Sequence, residues 1–218
     1  MLNSFESKYL LPTKEYRCLS LLYAIHNEPK SSQKTIGEKT NLSSAMVNNY
    51  IKCFKSSGLI TVSGKTNRTQ SYHLTEEGER NLAQSVLSYS SEIVQLYAAV
   101  KCEIKGMLNG FYAEDVRTVV LFGAADTAEV VYAAIKETQL VVIGIVDSDI
   151  SKQGKVFNGL IIQKPDQILT IKPDAVLITS FARQEEIFDQ IKHVVGDSIH
   201  VKKLSDVNTV TVPYKDRG

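Results

Sequence analysis

The chain has little of what marks secreted, metal-binding or membrane proteins. Its 218 residues include three cysteines, Cys18, Cys53 and Cys102, far apart and with no CxxC pair. That odd number and irregular spacing argue against a disulfide framework or a zinc site and fit a reducing cytoplasm. The four histidines, His26, His73, His193 and His200, form no HxxxH or HxxE spacing, so no metal site is expected. The N-terminal stretch MLNSFESKYLLPTKEY lacks a long apolar core, so no signal peptide is expected. No apolar run reaches the roughly 18 residues that would cross a bilayer, so a membrane partner is not expected. Repeats and low-complexity tracts are missing too. An excess of one charge is also lacking: 25 Lys+Arg face 24 Asp+Glu, a net of +1. Spread evenly, that balance would exclude a protein that coats polyanions along its whole length.

What is present is an ordinary globular composition, 43% hydrophobic, long enough for one large domain or two small ones. The charge is not spread evenly. Residues 1–75 hold ten basic side chains (Lys8, Lys14, Arg17, Lys30, Lys34, Lys39, Lys52, Lys55, Lys65, Arg68) and four acidic ones (Glu6, Glu15, Glu28, Glu38), a net of +6. The remainder therefore carries −5. A basic N-terminal module is joined to an acidic second part.

The first module reads as three helices and a hairpin. Leu19, Leu22, Tyr23 and Ile25 share one face of a helix that starts near Thr13 and ends at Pro29. A short helix spans 32–40. A third, SSAMVNNYIKCFKSSG, begins with Ser43 as N-cap, buries Val47, Ile51 and Phe54 on one stripe and ends at Gly58. Two β-rich runs, 59–62 and 71–74, flank the polar loop SGKTNRTQ, a hairpin with a basic tip. This is the winged-helix arrangement. The outward side of the third helix carries Ser43, Ser44, Ala45, Asn48, Asn49 and Lys52. Asn can bond adenine in a bidentate way, Ser can bond base or phosphate, and Lys neutralises phosphate. Lys65, Asn67 and Arg68 at the wing tip can reach flanking phosphate or the minor groove. Gln33, Lys34 and Thr35, at the start of the second helix, are expected phosphate contacts.

The stretches LSSAMVNNYIKCFKSSGLI (42–60) and SYHLTEEGE (71–79) resemble the MarR-type winged-helix regulators, in register over about 75 residues. The resemblance implies sequence-specific binding of double-stranded DNA, usually as a dimer. A winged helix used only for protein interaction is the alternative.

From Thr75 a long helix is predicted. Its apolar residues Leu82, Val86, Tyr89, Ile93, Leu96 and Val100 step by 4, 3, 4, 3, 4, a heptad seam that continues through Ile104, Leu108 and Phe111. Such a helix can pack on its own chain or pair with a second copy. A homodimer through residues 82–111 is expected.

After Asp115 strands and helices alternate. TVVLF (118–122), VVIGIV (141–146) and AVLITS (175–180) read as buried strands, with a weaker one at 198–202. A helix at 124–138, a short run at 160–162, a short helix from Pro165 to Ile168 and a helix over 183–195 lie between them. That alternation predicts a parallel sheet. The overall expectation is an α/β protein: a winged helix-turn-helix at 1–80, a linker and dimerisation helix at 81–115, a Rossmann-like parallel α/β domain at 116–205 and a tail at 206–218. The tail's 208–214 stretch could form an extra strand or an arm.

The first strand–turn–helix of this second part carries Gly123, Ala124, Ala125, Asp126, Thr127 and Ala128 where a dinucleotide fingerprint has GxGxxG. Only the first glycine is present. Asp126 and Glu129 have capping-box spacing, and a carboxylate capping this helix would occupy the place of a phosphate. Asp147 follows the second strand, where an acidic group can meet ribose hydroxyls, and Asp149 follows it. Thr179, Ser180 and Arg183 lie where the third strong strand feeds its helix, at the carboxyl edge where such sheets bind ligands. Gly123-Ala124, Gly144–Asp149 (GIVDSD) and Gly154–Gly159 (GKVFNG) resemble a Rossmann-like domain of nucleotide-sugar and polysaccharide-biosynthesis proteins. The domain order also resembles redox-sensing repressors that place a winged helix before an NADH-binding domain. These resemblances imply a nucleotide, a nucleotide sugar, coenzyme A or NAD as candidate ligand, or none.

Three functions compete. The first is a transcriptional regulator whose second domain senses a nucleotide-type metabolite. The second is a DNA-binding regulator whose second domain serves dimerisation or partner docking. The third is an enzyme fused to a DNA-binding module. The chain shows no nucleophile–base pair and no Lys or Tyr placed as in a dehydrogenase, so an enzyme is not expected.

Overall fold

The computed structural model describes residues 11–64, 69–181, 183–196 and 198–205. The wing-tip residues Lys65, Asn67 and Arg68 and the tail at 206–218 lie outside the described residues. The chain divides into two compact units, 1–94 and 95–218.

The first unit begins with α1 (Lys14–Asn27). Thr13 caps it, its side chain accepting from the Tyr16 N–H at 3.1 Å. Helix α2 (Gln33–Thr40) is capped in the same way by Ser32, and α3 (Ser44–Ser56) by Ser43, which accepts from the Met46 N–H. Gly58, with φ +71°, follows the C-cap Ser57 and lets the chain turn into β1 (Ile60–Ser63). Strand β2 (Ser71–Leu74) pairs antiparallel with β1, Ile60 opposite Leu74 and Ser63 opposite Ser71. The three helices and the hairpin close one core: Leu21, Leu22, Ile25, Ile36, Val47, Ile51, Phe54, Ile60, Tyr72 and Leu82 are buried together.

Helix α4 runs Glu76–Ala113. Thr75 caps it by accepting from the Gly78 N–H at 3.0 Å. Gly78 is required by close approach: a methyl there would run into the Leu59 carbonyl. The glycine of SYHLTEEGE thus seats the start of α4 on the hairpin. The helix contributes to both units. Leu82 is buried in the first core and Tyr89 packs against it, its ring 5.5 Å from that of Tyr16. Ile104, Leu108 and Phe111 are buried in the second unit. The expected seam over 82–111 is therefore not available as a whole, because its last turns are consumed inside the chain. Between these ends Val86, Leu87, Ile93, Val94, Leu96 and Tyr97 are exposed.

The second unit holds a six-stranded sheet in the order β5-β6-β4-β3-β7-β8. The strands are β3 (Thr118–Phe122), β4 (Val141–Val146), β5 (Val156–Phe157), β6 (Leu160–Gln163), β7 (Ala175–Ile178) and β8 (His200–Lys203). All pair in parallel except β5, a two-residue edge strand antiparallel to β6 that was not anticipated from sequence. The helices are α5 (Asp126–Ile135), α6 (Ile168–Ile171) and α7 (Gln184–Val195), with a 3₁₀ turn (Pro165–Gln167) leading into α6. Alternate strand residues face opposite sides. Val119, Leu121, Ile145, Ala175 and Leu177 pack with the end of α4 and with α5. Val120, Phe122, Val146, Val176 and Ile178 pack with α6 and α7. Covering on both faces explains why these strands read as unbroken apolar runs. The central strand β3 has β4 on one side and β7 on the other. The chain thus changes direction across the sheet between β3 and β7, and the crevice at their carboxyl ends is where such sheets bind ligands.

Candidate functional site

Two sites emerge, one in each unit. In the first, α3 presents a polar side. Burial of Val47, Ile51 and Phe54 fixes the helix roll. Ser43, Ser44, Ala45, Asn49 and Lys52 are exposed, and Asn48 is half-buried at the edge of that face. Small and amide side chains on a helix held this way can approach base edges in a major groove, with Lys52 near phosphate. Lys34 is well exposed, with its ammonium 3.9 Å from the Glu38 carboxylate. Thr35 is tied to the cap of its own helix, its hydroxyl 2.9 Å from that of Ser32. Gln33 is half-buried and tied into the unit. Its amide donates to the Tyr72 hydroxyl at 3.2 Å, and that hydroxyl donates to Gln70 Oε1 at 3.1 Å. In the sequence Tyr72 stands out only as part of the SYHLTEEGE resemblance and Gln70 only as the end of the polar loop, and neither position signals this bond.

In the second unit, the crevice between β3 and β7 is drawn together by Thr179. Its backbone N–H donates to the Phe122 carbonyl at 3.0 Å. Its buried hydroxyl lies 2.8 Å from Phe122 O and 2.6 Å from Gly123 O. Gly123 has φ +107°, which disfavours any side chain, and a Cβ there would stand 3.2 Å from Thr179 Oγ1. The Gly123 N–H donates to the Val146 carbonyl at 2.8 Å.

Asp147 closes the other side. It is 7% exposed, and its carboxylate accepts from the Ala124 N–H at 2.7 Å, the Asp149 N–H at 2.9 Å and the Lys152 ammonium at 3.0 Å. Burial pushes its carboxyl up, but the two N–H donors and the Lys152 charge outweigh that and hold it below the usual carboxylate value. Asp149 in turn accepts from the Ser151 N–H at 2.9 Å, and Gln153 donates to the Asp147 carbonyl at 2.9 Å. Lys152 and Gln153 were missed in the sequence; the only signal was a cation five residues after Asp147.

The structure corrects the expected cap of α5. Asp126 is the first helical residue and Ala125 is the N-cap, with no side-chain cap bond. Glu129 accepts instead from the Asn158 amide at 2.8 Å. The N-cap Ala125 has only a methyl group and cannot cap, and the carboxylate that takes up a loop N–H comes from Asp147, at the end of the neighbouring strand. Ala125 and Asp126 are exposed and Thr127 is half-buried. Ser180 is half-buried; Arg183 forms a two-point ion pair with Glu186, its Nε donating at 2.8 Å, so its charge is directed along its own helix. A shallow cavity of about 370 Å³ lies beside it, lined by Phe181, Arg183, Gln184, Glu185, Glu186 and Ser205. Gly123, Ala124, Asp147, Asp149 and Thr179 are thus brought together, and Arg183 is not joined to them. With the Ala124 N–H already satisfied by a carboxylate, the loop does not fit a dinucleotide whose pyrophosphate would rest on it.

Among the described residues there is no group of three or more His, Cys, Asp or Glu that could hold a metal, and no helix is long and apolar enough to cross a membrane.

Residues 18–89 match the family model described as winged helix-turn-helix. The first unit is a winged helix-turn-helix. Residues 116–201 match a second model, described as C2185-like, N-terminal. None of the curated proteins matches the chain. Among solved structures it is similar to Staphylococcus aureus MarR in complex with salicylate and kanamycin (17% identity, 38% of this chain and 57% of that one, TM-score 0.35). It is also similar to Bordetella bronchiseptica BpsR, described for the regulation of its DNA binding by 6-hydroxynicotinic acid (23% identity, 36% and 57%, TM-score 0.32). A third is UDP-D-quinovosamine 4-dehydrogenase from Vibrio fischeri (15% identity, 40% and 77%, TM-score 0.34). The chain spans 57% of the length of the first two.

Proposed function

We propose that this protein is a sequence-specific, DNA-binding transcriptional regulator that acts as a dimer and whose second unit responds to a nucleotide-type metabolite. The observation that carries the DNA reading is the split face of α3: Val47, Ile51 and Phe54 are buried, while Ser44, Ala45, Asn49 and Lys52 are exposed, with Asn48 at the edge. The +6 of residues 1–75 supplies the attraction for phosphate. The test is selection of duplexes from a random pool, followed by affinity for the selected site against a scrambled one.

The dimer is supported by Val86, Leu87, Ile93, Val94, Leu96 and Tyr97, six large apolar side chains exposed within twelve residues of one helix. A second copy would cover them by helix pairing. The pairing is confined to this middle segment, since both ends of α4 are already buried.

The sensing role rests on the crevice at the switch between β3 and β7. There the Thr179 hydroxyl bonds the Gly123 carbonyl, and Lys152, paired with Asp147, brings a cation that a phosphate would have to share. A ligand that prefers one state of the dimer by about 10–100-fold, roughly 1.4–2.7 kcal/mol, shifts DNA affinity enough for a useful response. The second reading is a docking platform with no ligand. It is favoured by the Asp147 carboxylate, which satisfies the Ala124 N–H internally. Native mass spectrometry and thermal shift with nucleotides, nucleotide sugars, coenzyme A and NAD separate the two. A bound or stabilising species supports sensing, and silence across all four classes supports the platform.

A further inference from the structure

We propose that Tyr72 is a positioning residue that couples the wing to α2, so that the wing and α3 meet a duplex as one rigid reader. The inference rests on the DNA-binding reading above and concerns how its two contacting elements are held in register. Three observations converge on this side chain. Its ring is 1% exposed, among the largest side chains fully buried in the first core. Its backbone N–H donates to the Pro29 carbonyl at 2.8 Å, joining β2 to the turn between α1 and α2. Its hydroxyl accepts from a Gln33 amide N–H at 3.2 Å and donates to Gln70 Oε1 at 3.1 Å.

The relay therefore begins on the first residue of α2, crosses a buried ring in β2 and ends on Gln70, immediately before β2. Lys65 and Arg68, the two basic residues of the segment between the strands, lie two to five residues before Gln70. Helix α2 packs on α3 and shares its core, with Ile36 and Val47 both fully buried. Fixing Gln70 to Gln33 thus fixes the hairpin to the same scaffold that fixes α3. One of the two amide N–H groups of Gln33 is thereby committed to the Tyr72 hydroxyl, which fixes the direction of the side chain. The aromatic ring supplies core packing, and the hydroxyl supplies direction. That division makes the two separable by experiment.

The test uses the full chain and a 30-base-pair duplex enriched from a random pool by the wild-type protein. Tyr72→Phe keeps the ring and removes the relay. It should weaken binding about 3–10-fold and reduce the steepness of log affinity against log salt by roughly one to two, as the Lys65 and Arg68 phosphate contacts become unreliable. Preference for the enriched site over duplexes altered at single bases should stay as in wild type, because α3 is untouched. A merely structural role would lower melting temperature and leave the salt slope alone. Gln33→Leu, which leaves the Tyr72 ring in place, should reproduce the slope change and keeps the test decisive if Tyr72→Phe folds poorly. A wild-type salt slope in Gln33→Leu, or a loss of base preference as large as the loss of affinity, would overturn the proposal. A wild-type protein that binds no duplex would overturn the DNA reading itself, and this inference with it.

Discussion

Asp147→Asn should destabilise the second unit far more than its conservative chemistry suggests. The carboxylate receives three donors: Oδ2 takes the Ala124 N–H at 2.7 Å and Lys152 Nζ at 3.0 Å, and Oδ1 takes the Asp149 N–H at 2.9 Å. An asparagine fills the same space but keeps one acceptor oxygen. If that oxygen stays on the Ala124 and Lys152 side, its NH₂ faces the Asp149 N–H, donor against donor. If it turns, two donors are stranded instead of one. Charge-assisted hydrogen bonds contribute about 1.5–3 kcal/mol each, and the site is nearly closed to water, so a loss of about 2–4 kcal/mol follows. For a unit of this size that is a fall of about 8–15 °C in its transition. Calorimetry of the full chain reads it, and amide exchange over 118–163 assigns it to this unit. The pH dependence has a definite sign. The folded carboxyl lies below its ordinary value of 3.8, so its stabilisation is fully present above 3.8 and is lost as pH falls through the folded value. The gap between wild type and Asp147→Asn should close below that point. A transition within about 2 °C of wild type at neutral pH would refute the clamp as described.

Three further outcomes are expected. Thr179→Val should cost about 1–3 kcal/mol in the same transition, since it strips a buried hydroxyl from the Phe122 and Gly123 carbonyls, and Thr179→Ser should recover most of it; an unchanged transition in the Val variant would contradict the role given to that hydroxyl. Wild type should sediment as a dimer at micromolar concentration and Ile93→Glu combined with Leu96→Glu as a monomer; a monomeric wild type would refute the pairing, and a variant that stays dimeric would place the interface elsewhere. A nucleotide-type ligand at 100 times its Kd should stabilise the protein by about 2.7 kcal/mol, and its absence from a panel of nucleotides, nucleotide sugars, coenzyme A and NAD would leave the docking platform.

Much of the fold was legible because its signals are local. Ser43 reads as an N-cap and accepts the Met46 N–H, and the helices expected near Thr13, over 32–40 and from Thr75 each begin one residue after Thr13, Ser32 and Thr75, whose side chains accept an N–H in the structure. The strands 118–122 and 141–146 were bounded correctly because burial on both faces writes an uninterrupted apolar run. What failed to show was long-range. The two-residue strand β5 exists only because β6 lies beside it. The α4 heptad pattern is continuous in sequence, yet its two ends belong to two different cores and only its middle is left exposed. Asp126 and Glu129 had the spacing of a capping box, and spacing alone could not reveal that Asp147, more than twenty residues on, supplies the carboxylate for the loop. Gln33 has the residue type and place of a phosphate contact, and only the fold reveals Tyr72 beneath it.

The central claim is that α3 reads DNA sequence. Its most direct measurement is duplex affinity at several salt concentrations, for a site enriched from a random pool and for a scrambled duplex of equal length. Wild type should prefer the enriched site by about a thousandfold or more, with affinity for both falling steeply with salt. Asn48→Ala or Asn49→Ala should erase part of that preference, about 1–3 kcal/mol per base contact, while leaving the affinity for scrambled DNA unchanged. Equal affinity for enriched and scrambled duplexes, or full preference retained in both variants, would contradict the account.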